Sequence, residues 1–522
     1  MPPVEAASVL AVASLSELAA TRGTEGVAAI VAGHARVGDG GGGLFAWDAR
    51  KLNADGGRAI ASTGGGTWIR VAPTAAVDVR WFGATGDGIT DDAPAVMRAI
   101  EAAGSGVVFF GPGRFFLSKL ELIGRKGLRL QGATRYATQL IGPDVVTPWI
   151  TVKNCDLVEV QGFELSLQSL SSATSAPYIR LERVETSKLE DLRLHGPHPA
   201  IDVGANCGGL YVRNVKVVPG ATKVPGPVTS PWVLRLRAAQ GVFLRDVDVN
   251  VGARWRLSEA MVCIESGCDT IYFSQCAFAQ LGGSPGDPVG GDCVLLRGGP
   301  GEQSPRWVKF AQCAFESGGG TAIRIRDGNN VEFHDAYAVN GEHSVVVEGG
   351  SSLKFSGGVF AYNSREAFVL RGGADVALLA ATIAASGLSK KAGYSGVRIE
   401  LANRVQIRDC VIGDVTTIPG AVYALSAGIE IVGPPASEHH VTDNLFGPAA
   451  AVEVIAPLGR AAIRAGFVGE GSGPPNLASH GTFRRGDRMY NHAPQPGGFV
   501  GWICVKAGTP GDWRGFGRIE SK

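Results

Sequence analysis

The sequence predicts an all-β fold, a parallel β-helix whose coils each hold three short strands. Three observations point to it. Residues 308–370 divide into three successive segments that begin VKFAQCAFE, NNVEFHDAYAV and SSLKFSGGVFA, one pattern returning at a little over twenty residues. Repeats of ~20–50 residues mark solenoids, propellers or arrays. The apolar stretches in these segments alternate as strands do, and no helical period lies between them. Composition agrees: 75 of the 522 residues are glycine and 4 are methionine, the profile of a turn-rich β chain.

Each segment opens on an alternating strand: Val308-Lys309-Phe310, Val331-Glu332-Phe333 or Leu353-Lys354-Phe355. A short second strand follows (Ala314-Phe315, Tyr337-Ala338, Val359-Phe360), then a turn and a third apolar strand (Ala322–Ile325, Ser344–Val347, Ala367–Leu370). One coil cannot pair its own backbone or bury its inward side chains, whereas stacked coils do both. Hydrogen-bonded strands lie ~4.8 Å apart, so equivalent residues form columns.

In chain order, residues 1–73 read as a separate N-terminal module. Leu15–Thr21 is expected to be helical, Val27–Val31 and Leu44–Trp47 are expected to be strands, and GDGGGG at 38–43 is a turn. The lysine and strand–loop–helix context of a phosphate-binding loop are missing. In 78–118, VDVRWFGATGDGITDDAPAVMRAIEAAGSGVVFFGPGRFFLS, a strand and an Asp/Gly turn lead to a helix over about 92–103. Asp91 is the expected N-cap, with Asp92 and Pro94 in the first turn. That helix would cover the open end of the first coil. Asp87, Asp91 and Asp92 are read as turn and cap residues rather than as a calcium or catalytic cluster.

The β-helix is expected over 74–456. Opening strands recur at Leu128–Gly132, Leu157–Val160, Leu189–Leu192, Leu210–Arg213, Val242–Arg245, Ile271–Ser274, Val405–Arg408 and His440–Asp443. Longer loops at 218–232, 251–259, 281–291, 386–395 and 414–426 interrupt the period, and solenoid insertions often build the binding face. Residues 457–522 read as a small β module, with Trp502, Trp513 and Phe516 as its own core.

A formal net charge of +1 argues against nucleic-acid or anionic-membrane binding. No apolar run approaches the ~20 residues of a membrane span. The first residues lack a basic segment ahead of an apolar one, so a secretory signal is not expected. Cys276, Cys313 and Cys410 take one inward position in their coils and are expected as stacked free thiols.

The segment FGATGDGITDD, the helix after it and the VVFF-GPG strand and turn resemble the N-terminal signature of the pectate lyase superfamily. The resemblance covers about forty residues. It implies a right-handed parallel β-helix and action on polysaccharides. VGDGGGGLFAWD and GTWIRV are similar to the N-terminal module of phage tailspike and related bacterial β-helix proteins, which attaches or caps the helix.

Cleavage of a glycosidic bond commonly uses two carboxylates, ~5 Å apart for retention and ~6.5–9.5 Å for inversion. Neighbouring coils supply the first spacing and next-nearest coils about twice that. Aligning the coils places Glu259, Asp292, Glu342 and Glu366 in a column before the third strand, with Glu316 on the adjoining turn. Asp292 with Glu259 or Glu316 is the expected acid and base. Arg254, Trp255, Arg256, Asn340, His343, Tyr362 and Arg365 are candidate substrate contacts, the aromatics by stacking and the arginines by holding a carboxylate; His343 is expected at the surface. No metal ligand set is seen, and calcium would enter only with a lyase, which would abstract the proton beside a uronate carboxylate.

The expectation is thus a tailspike-like depolymerase of a bacterial capsule, exopolysaccharide or lipopolysaccharide, a hydrolase ahead of a lyase. It would be an extracellular or virion-associated homotrimer attached through its N-terminal module, without nucleic acid or a membrane span. The alternative is a glycan-binding adhesin or structural protein without catalysis.

Overall fold

Stacked backbone ladders follow directly from the repeat. The structure is a computed structural model that describes residues 9–72, 74–143, 147–168, 176–196, 199–219, 228–252, 255–280, 291–299, 301–390, 393–414, 425–432, 439–447, 454–455, 468–471, 473–474, 483 and 485–521. Two compact units are distinguished, Met1–Ser230 with Ala239–Asp248 and Pro231–Ala238 with Val249–Lys522.

The first unit begins with strands Val9–Val12, Ala28–Val31, Gly43–Asp48, Ala59–Ala61 and Thr67–Arg70. They pair in the order first, second, third, fifth, fourth. Helix α1, Leu15–Ala20, is capped by Ser14, whose hydroxyl accepts from the Glu17 N–H. Leu15, Leu18, Phe45, Ile60 and Trp68 form the core of this module.

The glycine-rich turn is held from two sides. Asp39 accepts from the backbone N–H groups of His34, Ala35, Arg36 and Gly41 at 2.7–2.9 Å. Although partial burial pushes its carboxyl up, those four donors hold it at about 2. Buried Arg70 donates to the carbonyls of Gly41, Gly42 and Gly57 at 2.6–2.9 Å. A Cβ on Gly42 would lie 2.3 Å from the Val31 carbonyl oxygen, so only glycine fits.

Helix α2, Ala93–Ala103, buries Ala95, Val96, Ala99 and Ile100 against strands Val77–Asp78 and Val107–Phe110. The N-cap position is Asp92, one residue beyond the expected Asp91. Asp92 is buried, and its carboxylate does not cap: it accepts from Thr85 N at 2.6 Å and Gly86 N at 3.0 Å, fastening the FGATG turn. Asp91 takes the Ala93 and Ser118 N–H groups, and Asp87 those of Ile89 and Thr90. All three aspartates are thus occupied by the chain itself.

In both units the coils stack in parallel register. In the second, Val308 pairs with Val331, Leu353 and Val376 in successive coils, and Phe310 with Phe333, Phe355 and Leu378. Phe273, Phe310, Phe333 and Phe355 therefore stack, with centroids 4.4, 4.7 and 5.1 Å apart and planes within 10°. Cys276, Cys313 and Cys410 are buried, as are the other cysteines.

A less visible regularity shapes each coil. Two left-handed residues five apart flank the opening strand: Leu157 and Gly162, Thr186 and Asp191, Gly209 and Asn214, Gly241 and Asp246 in the first unit. Thr270 and Gln275, Trp307 and Gln312, Asn330 and Asp335, Ser352 and Gly357, Asp375 and Ala380, Arg404 and Asp409 continue it in the second. The second member makes the corner, and Gly, Asp and Asn dominate there because they tolerate positive φ. The first is a bulge that the ladder skips: Arg306 pairs with Asn329 and Val308 with Val331, leaving Trp307 out.

The last described ladder pairs Ile429 and Glu430 with Val454 and Ile455. Beyond it, Val468–Gly471, Arg488–Asn491, Phe499–Lys506 and Asp512–Arg518 form a separate four-stranded sheet. Trp513 packs on Phe483 and Phe516 on Tyr490, so these aromatics do serve the module itself.

The corners give a testable consequence. Asp335, at φ 50°, replaced by valine should cost about 1–2 kcal/mol, read as a lower urea midpoint. Asp335→Gly should be nearly neutral; equal losses in both variants would contradict the corner account.

Candidate functional site

The third strand of each coil begins with polar residues whose register the ladder fixes. Ala260 pairs with Asp292, Val294 with Ile323, Thr321 with His343 and Val345 with Phe368. One column therefore runs Ala260, Asp292, Thr321, His343, Glu366. Glu259 is one residue out of it, level with Gly291, Glu342 and Arg365. The expected Glu259–Asp292 pair does not form, because a one-residue offset separates two side chains that the sequence alignment superposes.

The expected strip of exposed acids is also corrected. Asp292, His343 and Glu366 are buried, at 9%, 2% and 4% exposure. His343 is therefore not a surface histidine. Asp292 accepts from the Thr321 N–H at 2.9 Å and pairs with Arg324 at 2.6 Å. Burial pushes its carboxyl up against the pull of Arg324. Arg324 also binds Glu348 and the Thr321 hydroxyl. Glu259 pairs with Arg297 at 3.0 Å, which it shares with Glu265. Both expected catalytic acids are thus held in ion-pair networks.

Four of the candidates do meet, over two coils. Arg365 donates to Glu342 at 2.9 Å and lies 3.8 Å from Glu366. His343 Nε2 is 3.9 Å from Glu342, and its Nδ1 is 3.7 Å from the Glu366 carboxylate and 2.9 Å from the Glu366 carbonyl oxygen. Burial pushes the Glu366 carboxyl up, ahead of the opposing pull of its own backbone N–H, Arg365 and Arg398. Burial lowers His343 to about 4, more than Glu342 raises it, so the imidazole is neutral near pH 7. Among the described residues, Glu366 Oε2 and Arg365 Nε are buried without hydrogen-bond partners although they face each other. Glu342 and Arg365 are about two-fifths exposed, so the cluster has an accessible rim over the buried His343 and Glu366.

A second group lies on the adjoining turns. Asn340 donates to Glu316 at 2.8 Å. Asn340 and Tyr362 both take left-handed backbone conformations, at φ 64° and 57°. Tyr362 packs against Val339, Ala361 and Ala384. Arg256 is exposed. Arg254, residues 281–290 and the side chain of Trp255 lie outside the described residues, as do most of 218–232 and 414–426.

Three features escaped the sequence reading. Tyr337 is exposed at 45%, and burial, with Tyr362 and Glu316 nearby, raises its hydroxyl pKa. Tyr394, in the insertion at 386–395, lies 5.4 Å from the Arg365 guanidinium. Asn363, buried, donates to the hydroxyls of Ser344 at 2.9 Å and Ser386 at 3.3 Å, bracing the turn that carries Glu366. Asn363, one residue beyond left-handed Tyr362, carried a signal: its neighbours in the coil pattern are small or polar.

No group of three or more His, Cys, Asp or Glu side chains among the described residues is arranged to hold a metal ion. The cluster brings together two carboxyl groups, an imidazole and a guanidinium.

Residues 11–73 match the phage tail protein small four-stranded β-sheet domain. Residues 76–155 match the rhamnogalacturonase A/epimerase, pectate lyase-like family, and 293–453 the right-handed β-helix region. These matches establish a pectate lyase-like, right-handed β-helix. Curated proteins returned no match. Among solved structures, the chain is similar to tailspike protein gp49 of the Acinetobacter baumannii bacteriophage Fri1, a capsular polysaccharide depolymerase, at 12% identity over 87% of this chain and 76% of that one, with a TM-score of 0.44. The A-module of the Azotobacter vinelandii mannuronan C-5 epimerase AlgE6 gives 12% identity, 74% and 98% coverage and a TM-score of 0.43. The Streptococcus pneumoniae surface protein and adhesin PfbA gives 12%, 73% and 100%, and 0.46. Likeness at this level assigns no activity.

The buried imidazole makes stability depend on pH. Folded His343 takes up a proton near pH 4, whereas an unfolded histidine does so at ~6.5. Its neutral form therefore contributes fully above pH ~6.5, and the contribution drains as the pH falls towards 4, by roughly 3 kcal/mol. Urea midpoints of the wild type should fall more steeply over that window than those of His343→Gln. Parallel curves would contradict the buried neutral histidine.

Proposed function

We propose that this chain, a pectate lyase-like right-handed β-helix preceded by a phage-tail β-sheet domain, is a tailspike-like protein that binds and cleaves a bacterial surface polysaccharide. The observation that carries the proposal is the pairing of that N-terminal domain with a β-helix bearing Glu342, His343, Arg365 and Glu366 in one cluster. The module at 11–73 would attach the protein to a virion, and the working form would be an extracellular or virion-borne homotrimer. No described helix is long and apolar enough to cross a membrane.

The proposed reaction is hydrolysis. Glu366, pushed towards its protonated form by burial, gives its proton to the leaving glycosidic oxygen as the carbon–oxygen bond breaks. Glu342, at the accessible rim, takes a proton from the water that attacks the anomeric carbon. Arg365 positions both carboxylates and, with Tyr394, faces the sugar. Asp292 and Glu259 hold the coils together. A second reading, binding without cleavage, draws on the same ion pairs: Glu342 is already engaged by Arg365.

The test is a panel of capsular and lipopolysaccharide glycans, with reducing ends and unsaturated products measured. New reducing ends without unsaturated products are expected, with Glu366→Gln and Glu342→Gln each lowering kcat about 10²–10⁴-fold at unchanged melting. Unsaturated products would replace hydrolysis by elimination. Glycan binding without products would establish the binder, and full activity in both variants would remove the cluster from the mechanism.

A further inference from the structure

The outward side chains of the second unit's opening strands bring a serine, a histidine and a carboxylate into one hydrogen-bonded chain. The ladder places them. Glu332 pairs in register with Lys354 of the next coil, and His334 with Ser356. Glu332 and His334 stand two apart on one strand, so both point to the same face. His334 Nε2 lies 2.8 Å from the Glu332 carboxylate, and the Ser356 hydroxyl lies 2.6 Å from His334 Nδ1. The His334 side chain is 27% exposed and that of Glu332 40%, and Ser356 is half-buried. All three are within reach of a small molecule in solution.

The direction of the hydrogen bonds follows from charge. The bond from His334 holds the Glu332 carboxyl below its usual range against the opposing push of burial, and Lys309 and Lys354 add to that pull. An ionised carboxylate only accepts, so Nε2 carries the imidazole proton. In the neutral ring Nδ1 then accepts, and the Ser356 hydroxyl donates to it. That is the order of a nucleophile, its base and the group that orients the base. Neighbouring coils do not repeat it: the same column holds Ala311 before His334 and Leu379 after Ser356. The phenylalanine stack, whose task is structural, does run on through successive coils. Leu379 gives Ser356 an apolar flank, and Lys354, two residues earlier on the same face, gives it a cationic one.

We propose that Ser356, His334 and Glu332 form a catalytic site of their own, a serine esterase acting on short-chain acyl esters. Ser356 Oγ attacks the ester carbonyl carbon while its proton passes to His334 Nδ1, and Glu332 steadies the imidazolium. The oxyanion of the tetrahedral intermediate faces Lys354. Collapse of that intermediate breaks the bond to the alcohol oxygen, which leaves with the proton from Nδ1. Water then adds to the acyl-serine and gives its proton to His334. Breakdown returns that proton to Ser356 Oγ and releases the carboxylic acid. The site shares no residue with the Glu342–Glu366 cluster, and it stands independently of glycan cleavage.

The probes are p-nitrophenyl butyrate and a fluorophosphonate, each used on the full chain. Steady turnover of the ester is expected, and the fluorophosphonate should attach to Ser356, located by peptide mass mapping. Ser356→Ala should abolish both. His334→Gln should lower turnover about 10²–10⁴-fold. Glu332→Gln should lower it as well, and Glu332→Asp should recover part of the loss, at unchanged melting. Should Ser356→Ala melt early, partly labelled wild type gives the same reading, its turnover falling in proportion to the labelled fraction. No turnover, label on other residues alone, or turnover that survives either Ser356→Ala or full labelling of Ser356 would overturn the proposal.

Discussion

Everything in this molecule depends on backbone hydrogen bonds running from each coil to the next. They set the spacing, and the spacing makes neighbours of residues twenty to forty positions apart. Inside, the result is the phenylalanine stack through Phe310 and Phe333 and the buried thiols. At the start of the ladder, helix α2 closes an end that would otherwise expose unpaired strand edges and apolar side chains. The paired left-handed residues bend the chain at fixed intervals, so that every opening strand returns to the same place.

The same spacing organises charge. Asp292, Arg324 and Glu348 form one network, and Arg398 joins Glu400 and Glu430 in another. Such pairs on a half-exposed ladder are worth little individually. Against that background Glu366 stands out, buried with an unbonded oxygen among the described residues.

Much of the fold was legible in the sequence because period and alternation are local signals. The opening strands, the capping helix, the turn aspartates and the inward column of Cys276, Cys313 and Cys410 all followed from them, although Ala336, Gly358 and Ala381 separate Cys313 from Cys410. The site was less legible because it depends on register to a single residue. Glu259 and Asp292 align in sequence once a loop is allowed between them, yet the ladder sets Ala260 opposite Asp292. Burial at the corner was equally hidden: His343 and Glu366 look like turn residues in sequence, and the turn braced by Asn363 folds over them. The bulge at Trp307 has no sequence mark, since a tryptophan there is no natural left-handed residue.

The coil-to-coil stacking is tested most directly by a distance. Lys309, Glu332, Lys354, Ala377 and Gln406 occupy one register column. Spin labels at Lys309 and Gln406, four coils apart at ~4.8 Å per coil, should give a narrow distribution centred at about 19 Å, widened by the label tethers. A broad distribution, or one centred beyond about 35 Å on the same spacing, would show that these segments do not lie upon one another, and the column, the cluster and the proposed chemistry would go with it.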